Sequence, residues 1–152
     1  MDGLSVAANV LSVVDISLKV VKLCKQYYDG VKKAKEDIVR LQREVEHVTS
    51  TAGDLKKLLG SPDSVNFTAT LKLVNSVDGC LKQLKDIDSR LEMGISRKEM
   101  SRWGLRSLKW PLISGEIEEA INNLVEYNRT FSLALLVDHR YSLFSGDCGM
   151  TS

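Results

Sequence analysis

A long apolar helix is the first element that the pattern of hydrophobic and polar positions predicts, over residues 4–28 with Gly30 as a C-cap. Its polar residues recur at steps of three and four and therefore share one thin stripe, which consists of Ser5, Asn9, Ser12, Asp15, Lys19, Lys22 and Gln26. Nearly all of the remaining surface is apolar. Such a helix either lies in a protein core with one edge exposed to water or enters a membrane beside copies of itself.

Two further helices show regular core-facing seams. The second ends before Gly60-Ser61-Pro62, and its seam comprises Val31, Ala34, Ile38, Leu41, Val45, Val48, Ala52, Leu55 and Leu59. The third begins after Ser64 and is predicted to close at Met93-Gly94, with a seam of Leu73, Val77, Cys80, Leu84, Ile87 and Leu91. The face of the second helix opposite its seam is charged and indicates a solvated surface, formed by Lys32, Lys33, Lys35, Glu36, Arg40, Arg43, Glu44 and Glu46.

A fourth helix is predicted to open near Ser114, an N-cap residue followed by Glu116 in the first turn. Its apolar positions are Ile113, Ile117, Ala120, Leu124, Tyr127, Phe131 and Ala134. Most connections are short, which favours antiparallel neighbours. We therefore predict an all-α bundle of four long antiparallel helices over residues 1–138, a short basic amphipathic helix before the last one, and an irregular C-terminal tail over residues 139–152.

Composition narrows the functional classes. The 152 residues are 43% hydrophobic, and 21 basic residues nearly balance 20 acidic ones, so no overall field marks the chain as a nucleic-acid binder. The three cysteines, Cys24, Cys80 and Cys148, are odd in number and widely spaced, which favours reduced thiols in an intracellular protein. The N-terminal residues lack the basic start and cleavage site of a signal peptide, and they lack a myristoylation signal.

Basic residues are concentrated before the fourth helix, interleaved with tryptophan. The set consists of Arg97, Lys98, Arg102, Trp103, Arg106 and Lys109, and Trp110 closes the segment. Anionic lipid headgroups attract such cations, and tryptophan favours the membrane interface. The alternative is an amphipathic helix whose tryptophans pack on the bundle while its charges face water. Binding of nucleic acid is not expected, because no stacking sheet or groove-reading motif accompanies the segment.

The first helix is short for permanent membrane insertion. A hydrocarbon core of about 30 Å needs roughly 20 apolar residues, whereas residues 4–18 provide about 22 Å of helix with one charge, Asp15. Extending the helix adds Lys19 and Lys22. An oligomer that turns the polar stripe toward a shared lumen would keep polar groups away from lipid. Conditional insertion of this kind is favoured over constitutive spanning, and burial in a core is the competing interpretation.

The chain offers little for catalysis. No glycine-rich phosphate-binding array occurs, so no nucleotide cofactor is expected. His47 is predicted to face solvent on the second helix, and His139 lies beyond the last regular pattern. With three distant cysteines these histidines form no recognisable metal-ligand spacing. We expect a non-enzymatic protein without metal or cofactor.

Three segments together resemble the HeLo-like N-terminal domains of fungal STAND receptors, which are similar to NLR proteins. The segments are MDGLSVAANVLSVV, VKLCKQYYDGVKKAKEDIVRLQREVEHV and RSLKWPLISGEIEEAINNLVEYNRTFSLAL. The most diagnostic parts are the first apolar helix, Tyr27-Tyr28 with the following residues 34–38, and the Leu108-Lys109-Trp110-Pro111 element. The resemblance covers roughly residues 1–138.

The resemblance implies an effector or signalling domain of a fungal NLR-like system. Relatives of the wider HeLo class execute regulated cell death by exposing an N-terminal helix that perturbs membranes. The partners that it implies are anionic membrane lipids, bound conditionally, and further copies of the chain on activation. It also implies a nucleotide-binding receptor domain in cis or in trans. The expected location is the cytoplasm, with relocation to the plasma membrane on activation.

Two surfaces would then carry the function. The membrane-targeting surface of the first helix consists of Leu4, Val6, Val10, Leu11, Val13, Val14 and Ile16, and the basic set before the fourth helix attracts the headgroups. The alternative function is a protein–protein adaptor of the death-fold type, which never touches lipid. An adaptor needs the first helix permanently buried, whereas an effector needs it releasable.

Overall fold

A computed structural model describes residues 3–60, 71–99 and 108–150, with side chains for residues 6–60, 71–98 and 108–137. It contains four α-helices: α1 (Gly3–Gly30), α2 (Lys35–Leu59), α3 (Leu71–Glu99) and α4 (Ser114–Met150). The described part of the chain has no strand, so the predicted all-α bundle of four long helices is confirmed.

The four helices stand at the corners of a square, but not in chain order. Helix α1 packs against α2 and α3, and α4 packs against the same two helices. Consequently α1 lies diagonally across from α4, and α2 across from α3. Consecutive helices alternate in direction, as the connections predicted. However, α1 and α3 are parallel neighbours, because the C-terminal part of α1 reaches the C-terminal part of α3 through the hydrogen bond from Tyr27 to Leu91.

The predicted seams form one continuous core. In α2 the seam positions Ile38, Leu41, Val45, Val48, Ala52 and Leu55 are at most 1% exposed. The α3 and α4 seams are buried in the same way at Leu73, Val77, Cys80, Leu84, Ile87, Leu91, Ile117, Leu124 and Phe131. The three-and-four spacing therefore identified the interior, because it keeps apolar side chains on one side of each helix.

Helix α1 is not the central, most buried member that its apolar surface suggests. It occupies a corner, and two leucines on its outer side are exposed, Leu11 at 41% and Leu18 at 54%. Four helices in a square have no central position, so an apolar surface all round cannot be fully covered. The outer side of α1 is therefore a mixed surface of leucines with Asp15 and Lys22.

Three predicted helix boundaries are wrong. Helix α2 begins at Lys35 after Ala34, which has a left-handed backbone (φ 70°, ψ 15°), so Val31 and Ala34 belong to the connection. Helix α3 continues through Gly94 to Glu99, and this glycine lies against the Tyr27 side chain within the helix instead of capping its end. The backbone of α4 is helical to Met150, where an irregular tail was expected from residue 139. No proline follows Pro111 in the sequence, so every residue of this helix keeps the backbone N–H group that the helix needs.

Candidate functional site

The apolar surface that was predicted to seek a membrane lies mostly in the core. Val6, Val10 and Val13 are at most 2% exposed, and Val14 and Ile16 are half-buried against the same cluster. Only Leu11 of the described members points substantially to solvent, and the side chain of Leu4 lies outside the described part. In this packed state α1 contributes to the core, as the competing interpretation predicted, and its buried valines cannot contact lipid.

The polar stripe of α1 is largely exposed, and one of its members contacts α3. Asn9 is half-buried, while Ser12 and Asp15 are exposed; the side chain of Ser5 is not described. Lys19 bridges to α3, with its Nζ 2.6 Å from Glu92 Oε1 and 3.3 Å from Asp88 Oδ1. Hydrogen bonds to Glu92 and Asp88 raise the pKa of Lys19 above its ordinary value. Lys19 of the stripe therefore forms an electrostatic link between α1 and α3.

A buried hydroxyl pair joins α1 to α2. Ser17 is 0% exposed, and Thr49 Oγ1 donates a hydrogen bond of 2.8 Å to Ser17 Oγ. Ser17 Oγ in turn donates to the carbonyl oxygen of Val14 at 2.9 Å. The sequence pattern gave no sign of this pair, since Ser17 lies outside the polar stripe and Thr49 outside the seam. The pair ties the middle of α1 to the middle of α2.

An aromatic contact closes the C-terminal end of α1. The Tyr27 ring is fully buried and stands edge-on to Trp110, with ring centroids 5.2 Å apart and an interplanar angle of 82°. Leu108 packs on Gly30, where a β-carbon would lie 2.8 Å from Cδ2 of that leucine. The connecting segment 108–113 therefore covers the end of α1. Burial raises the pKa of the Tyr27 phenol to about 12, so this group stays neutral and donates its hydrogen bond.

The described members of the predicted basic set also lie at this end. Arg97 and Lys98 stand in the last turn of α3, and Lys109 is exposed in the connecting segment. Arg102, Trp103 and Arg106, and with them most of the predicted short basic helix, lie outside the described residues.

The basic set and the buried valines of α1 are not brought together. Tyr27 lies near the end of α1 that is next to these cations. Val10 is 17 positions earlier, or about 26 Å away along the helix. The two surfaces that the predicted function joins are therefore well separated along the packed bundle.

Three further lysines share the end with the predicted basic set. Lys32, Lys33 and Lys35 are exposed on or beside the turn between α1 and α2, which the contact of Gly30 with Leu108 holds against the connecting segment. We call the surface formed by Lys32, Lys33, Lys35, Arg97, Lys98 and Lys109 the basic end. Sequence reasoning assigned the first three to an ordinary solvated face, because only the return of the chain at residue 108 places them beside Lys109.

The described cysteines and the described histidine show no sign of a reactive or metal-binding site. Cys24 and Cys80 are free and fully buried, and burial raises the pKa of each thiol to about 12, which makes both poor nucleophiles. His47 faces solvent, as predicted. Within the described residues, no group of three or more histidine, cysteine, aspartate or glutamate side chains is arranged to hold a metal ion. Likewise, none of the described helices has an apolar stretch long enough for membrane crossing.

The architecture and these contacts define an all-α four-helix bundle whose first helix occupies a corner. A family model described as "Pigment biosynthesis cluster protein PigL N-terminal" matches residues 1–139, and the chain belongs to this family. Neither a curated protein nor a solved structure matches the chain.

Proposed function

We propose that this chain is a non-enzymatic effector domain of the HeLo-like kind, which stores α1 in the bundle and releases it to perturb a membrane. The observation that carries the proposal is the corner position of α1. Because α4 contacts both α2 and α3, it keeps these two helices joined when α1 leaves, although they do not pack on each other. A releasable helix needs such a place, since removing a central helix would dissolve the whole core.

The interactions that hold α1 in the bundle also suit a helix that has to leave it. Its apolar seam consists largely of valines, which bury less area than leucine or phenylalanine, and it includes the polar Ser17. Its link to α3 through Lys19 is exposed and therefore weakens with salt. Once released, α1 would present Val6, Val10 and Val13 together with the exposed Leu11 and Leu18, an apolar surface that only lipid or another copy of the helix can cover.

The proposal includes the cellular arrangement that the family resemblance implies. A nucleotide-binding receptor domain, in cis or in trans, would provide the trigger in the cytoplasm. Several released copies would then assemble at the plasma membrane with the polar stripe turned inward, because a single helix carrying Asp15 and Lys19 is costly to place in lipid. This assembly belongs to regulated cell death.

A reversible lock on α1 tests the proposal directly. Deleting the first 22 residues would remove most of the helix whose release is to be tested, together with four core valines and the buried Ser17. We therefore choose Ser17→Cys with Thr49→Cys, whose hydroxyl oxygens are 2.8 Å apart, in a Cys148→Ser background. Oxidation should join α1 to α2, and reduction should free it. The single variant Ser17→Cys controls for the loss of the native hydroxyl pair.

A matched pair of variants replaces the missing trigger. Asp88→Lys with Glu92→Lys sets two cations against Lys19 and loosens α1 without changing its sequence. Asp78→Lys with Asp86→Lys makes the same charge change on α3, at carboxylates that pair with Lys82 and Arg90 instead. Dye release from anionic vesicles should rise only with the first pair, and the oxidised lock should abolish it. Equal leakage from locked and unlocked protein, or from both charge pairs, contradicts the release of α1.

One observation favours the alternative function, a protein–protein adaptor. Leu133, Leu136 and Val137 on α4 are 50%, 48% and 67% exposed, which is an apolar strip on a helix that is not the proposed membrane element. An adaptor would use this strip while α1 stays buried. Unchanged binding to a helical partner domain with α1 locked, together with no dye release from any variant, would support this function over the effector.

A further inference from the structure

We propose that the basic end docks on the surface of an anionic lipid bilayer. The inference rests on the proposed function in that it names the membrane-facing surface of the same domain, and it adds three lysines that the sequence had not singled out. It also sets the orientation of the bundle on the membrane, with the turn between α1 and α2 next to the headgroups.

Two separate connections of the chain build this surface. Lys32, Lys33 and Lys35 come from the first connection, whereas Lys109 comes from the segment before α4. They are held together by the packing of Leu108 on Gly30, and a β-carbon at Gly94 would lie 3.8 Å from the carbonyl oxygen of Lys109. The cations therefore belong to a fixed end of the bundle rather than to a loose tail.

Most cations of this end have no acidic partner within the described part of the chain. Segments 29–36, 97–99 and 108–113 carry the six cations of the basic end against three acidic residues, Asp29, Glu36 and Glu99. The adjoining start of α4 adds three glutamates, of which Glu116 and Glu118 pair with arginines. Within the part of the chain that the structure describes, Lys32, Lys33, Arg97 and Lys109 make no ion pair. By contrast, Arg40 and Arg90, on the sides of the bundle, are each held by a glutamate of α4. Unpaired cations at one end favour a surface of opposite charge.

Apolar side chains among these cations favour a bilayer over other polyanions. Tyr28 is 40% exposed and lies under the Lys35 ammonium, 4.8 Å from the ring centroid to Nζ. Met93 and Ile113 reach the same end and are 52% and 68% exposed. Tyrosine and aliphatic side chains enter the boundary between headgroups and acyl chains while lysines remain with the phosphates. A nucleic-acid backbone offers no comparable place for an exposed isoleucine and methionine.

This orientation gives the turn between α1 and α2 a role. With the basic end on the membrane, the N-terminal end of α1 points away from the lipid, along a helix of about 42 Å. To reach the bilayer, α1 must swing about residues 31–34, which lie beside the headgroups.

The test compares two charge-matched triple variants by sedimentation with vesicles. Lys32→Gln, Lys33→Gln and Lys35→Gln neutralise the basic end, whereas Lys56→Gln, Lys57→Gln and Lys72→Gln remove the same charge at the opposite end of the bundle. The vesicles contain phosphatidylcholine with or without phosphatidylserine. Both triples carry the oxidised lock between positions 17 and 49, so that vesicle binding is measured without release of α1 and independently of dye leakage. Thermal melting verifies that both variants fold.

We expect the basic-end triple to bind phosphatidylserine vesicles about 100-fold more weakly, at about fivefold for each of the three lysines, while the opposite-end triple changes little. Equal losses in both triples, or no loss in either, would overturn the proposal. Binding that is the same on vesicles without phosphatidylserine would also overturn it. Weaker binding of the basic-end triple to nucleic acid, together with unchanged binding to vesicles, would overturn it as well. If the unlocked protein still releases dye without docking through the basic end, only the docking surface is rejected. The proposed release of α1 would then still stand.

Discussion

The hydroxyl group of Tyr27 on α1 donates a hydrogen bond of 2.7 Å to the carbonyl oxygen of Leu91 on α3. The phenol reaches this acceptor because Gly94, one turn later on α3, has no side chain in its path. The second glycine of α3, Gly79, receives Tyr127 of α4 in the same manner, where a β-carbon would lie 2.8 Å from the phenol oxygen. Helix α3 therefore uses two glycines to admit a tyrosine from each of its neighbours.

The contact of Tyr27 with Gly94 predicts a coupled pair of substitutions. Gly94→Ala should lower the free energy of unfolding by about 1–2 kcal/mol, because crowding by the phenol outweighs the higher helix propensity of alanine. Gly53→Ala, at a helical glycine with nothing within 4 Å, should instead raise it by up to about 1 kcal/mol. In a Tyr27→Phe background the cost at Gly94 should shrink, since the hydroxyl group is the crowding atom. Urea denaturation of the double-mutant cycle measures this coupling, and simple additivity would contradict it.

The left-handed residue before α2 predicts opposite effects of two substitutions. Ala34 has φ 70° without being a glycine, a conformation that costs roughly 1–2 kcal/mol for an L-residue. Ala34→Gly should leave stability unchanged or raise it by up to about 1 kcal/mol. Ala34→Val should lower it by about 1–2 kcal/mol, because a β-branched residue resists this backbone. Thermal melting checks the order of the three proteins, and equal stability of the valine and glycine variants would contradict the assigned turn.

The buried thiols predict a loss of stability at alkaline pH. Burial raises the pKa of Cys24 and Cys80 from 9.0 to about 12, whereas the unfolded chain ionises these thiols at their ordinary value. Their contribution is therefore complete below pH 9 and is lost between pH 9 and about pH 12. The slope should approach about 1.4 kcal/mol per pH unit for each thiol. Urea denaturation at stepped pH measures it, and a Cys24→Ala, Cys80→Ala variant with the same slope would show that other groups are responsible.

Two aspartate substitutions on α1 separate its resting and released roles. Val10→Asp should unfold or severely destabilise the bundle, by at least about 3 kcal/mol, since it buries an unpaired charge. Leu18→Asp should fold normally, because this leucine is 54% exposed. If α1 enters lipid, however, the Leu18 variant should release less dye, since a charge in the bilayer costs about 2.5–3.5 kcal/mol.

The control for Leu18→Asp is Val39→Asp, at an exposed position of α2. It makes a comparable change on a helix that is not expected to leave the bundle. Leakage measurements on the two variants at equal thermal stability give the comparison. Equal dye release from both would count against insertion of α1.

Much of the fold followed from periodicity. The seam of α2 was read correctly from Ile38 to Leu55, because a buried stripe at steps of three and four can form only on a helix with one face inside. The helix ends were less predictable. Gly94 resembles a helix stop in sequence, and its role as an opening for Tyr27 depends on a side chain that is 67 residues away along the chain.

The candidate site was predictable only in part. The apolar surface of α1 and the cations Arg97, Lys98 and Lys109 could be named from local composition. The grouping of Lys32, Lys33 and Lys35 with Lys109 could not, because it depends on where the connecting segment returns over the end of α1. The burial of Ser17 against Thr49 was equally invisible, since a serine outside the polar stripe gives no signal of its partner.

The sequence alone predicts a helical chain, the number of its long helices, and the positions that are apolar enough to need burial. These properties are local, set by the spacing of side chains along each helix. The tertiary structure decided which helices are neighbours, that α1 sits at a corner, and that its valines and the basic end lie far apart. Those properties arise from the packing of helices that are distant along the chain, and periodicity within one helix carries no information about them.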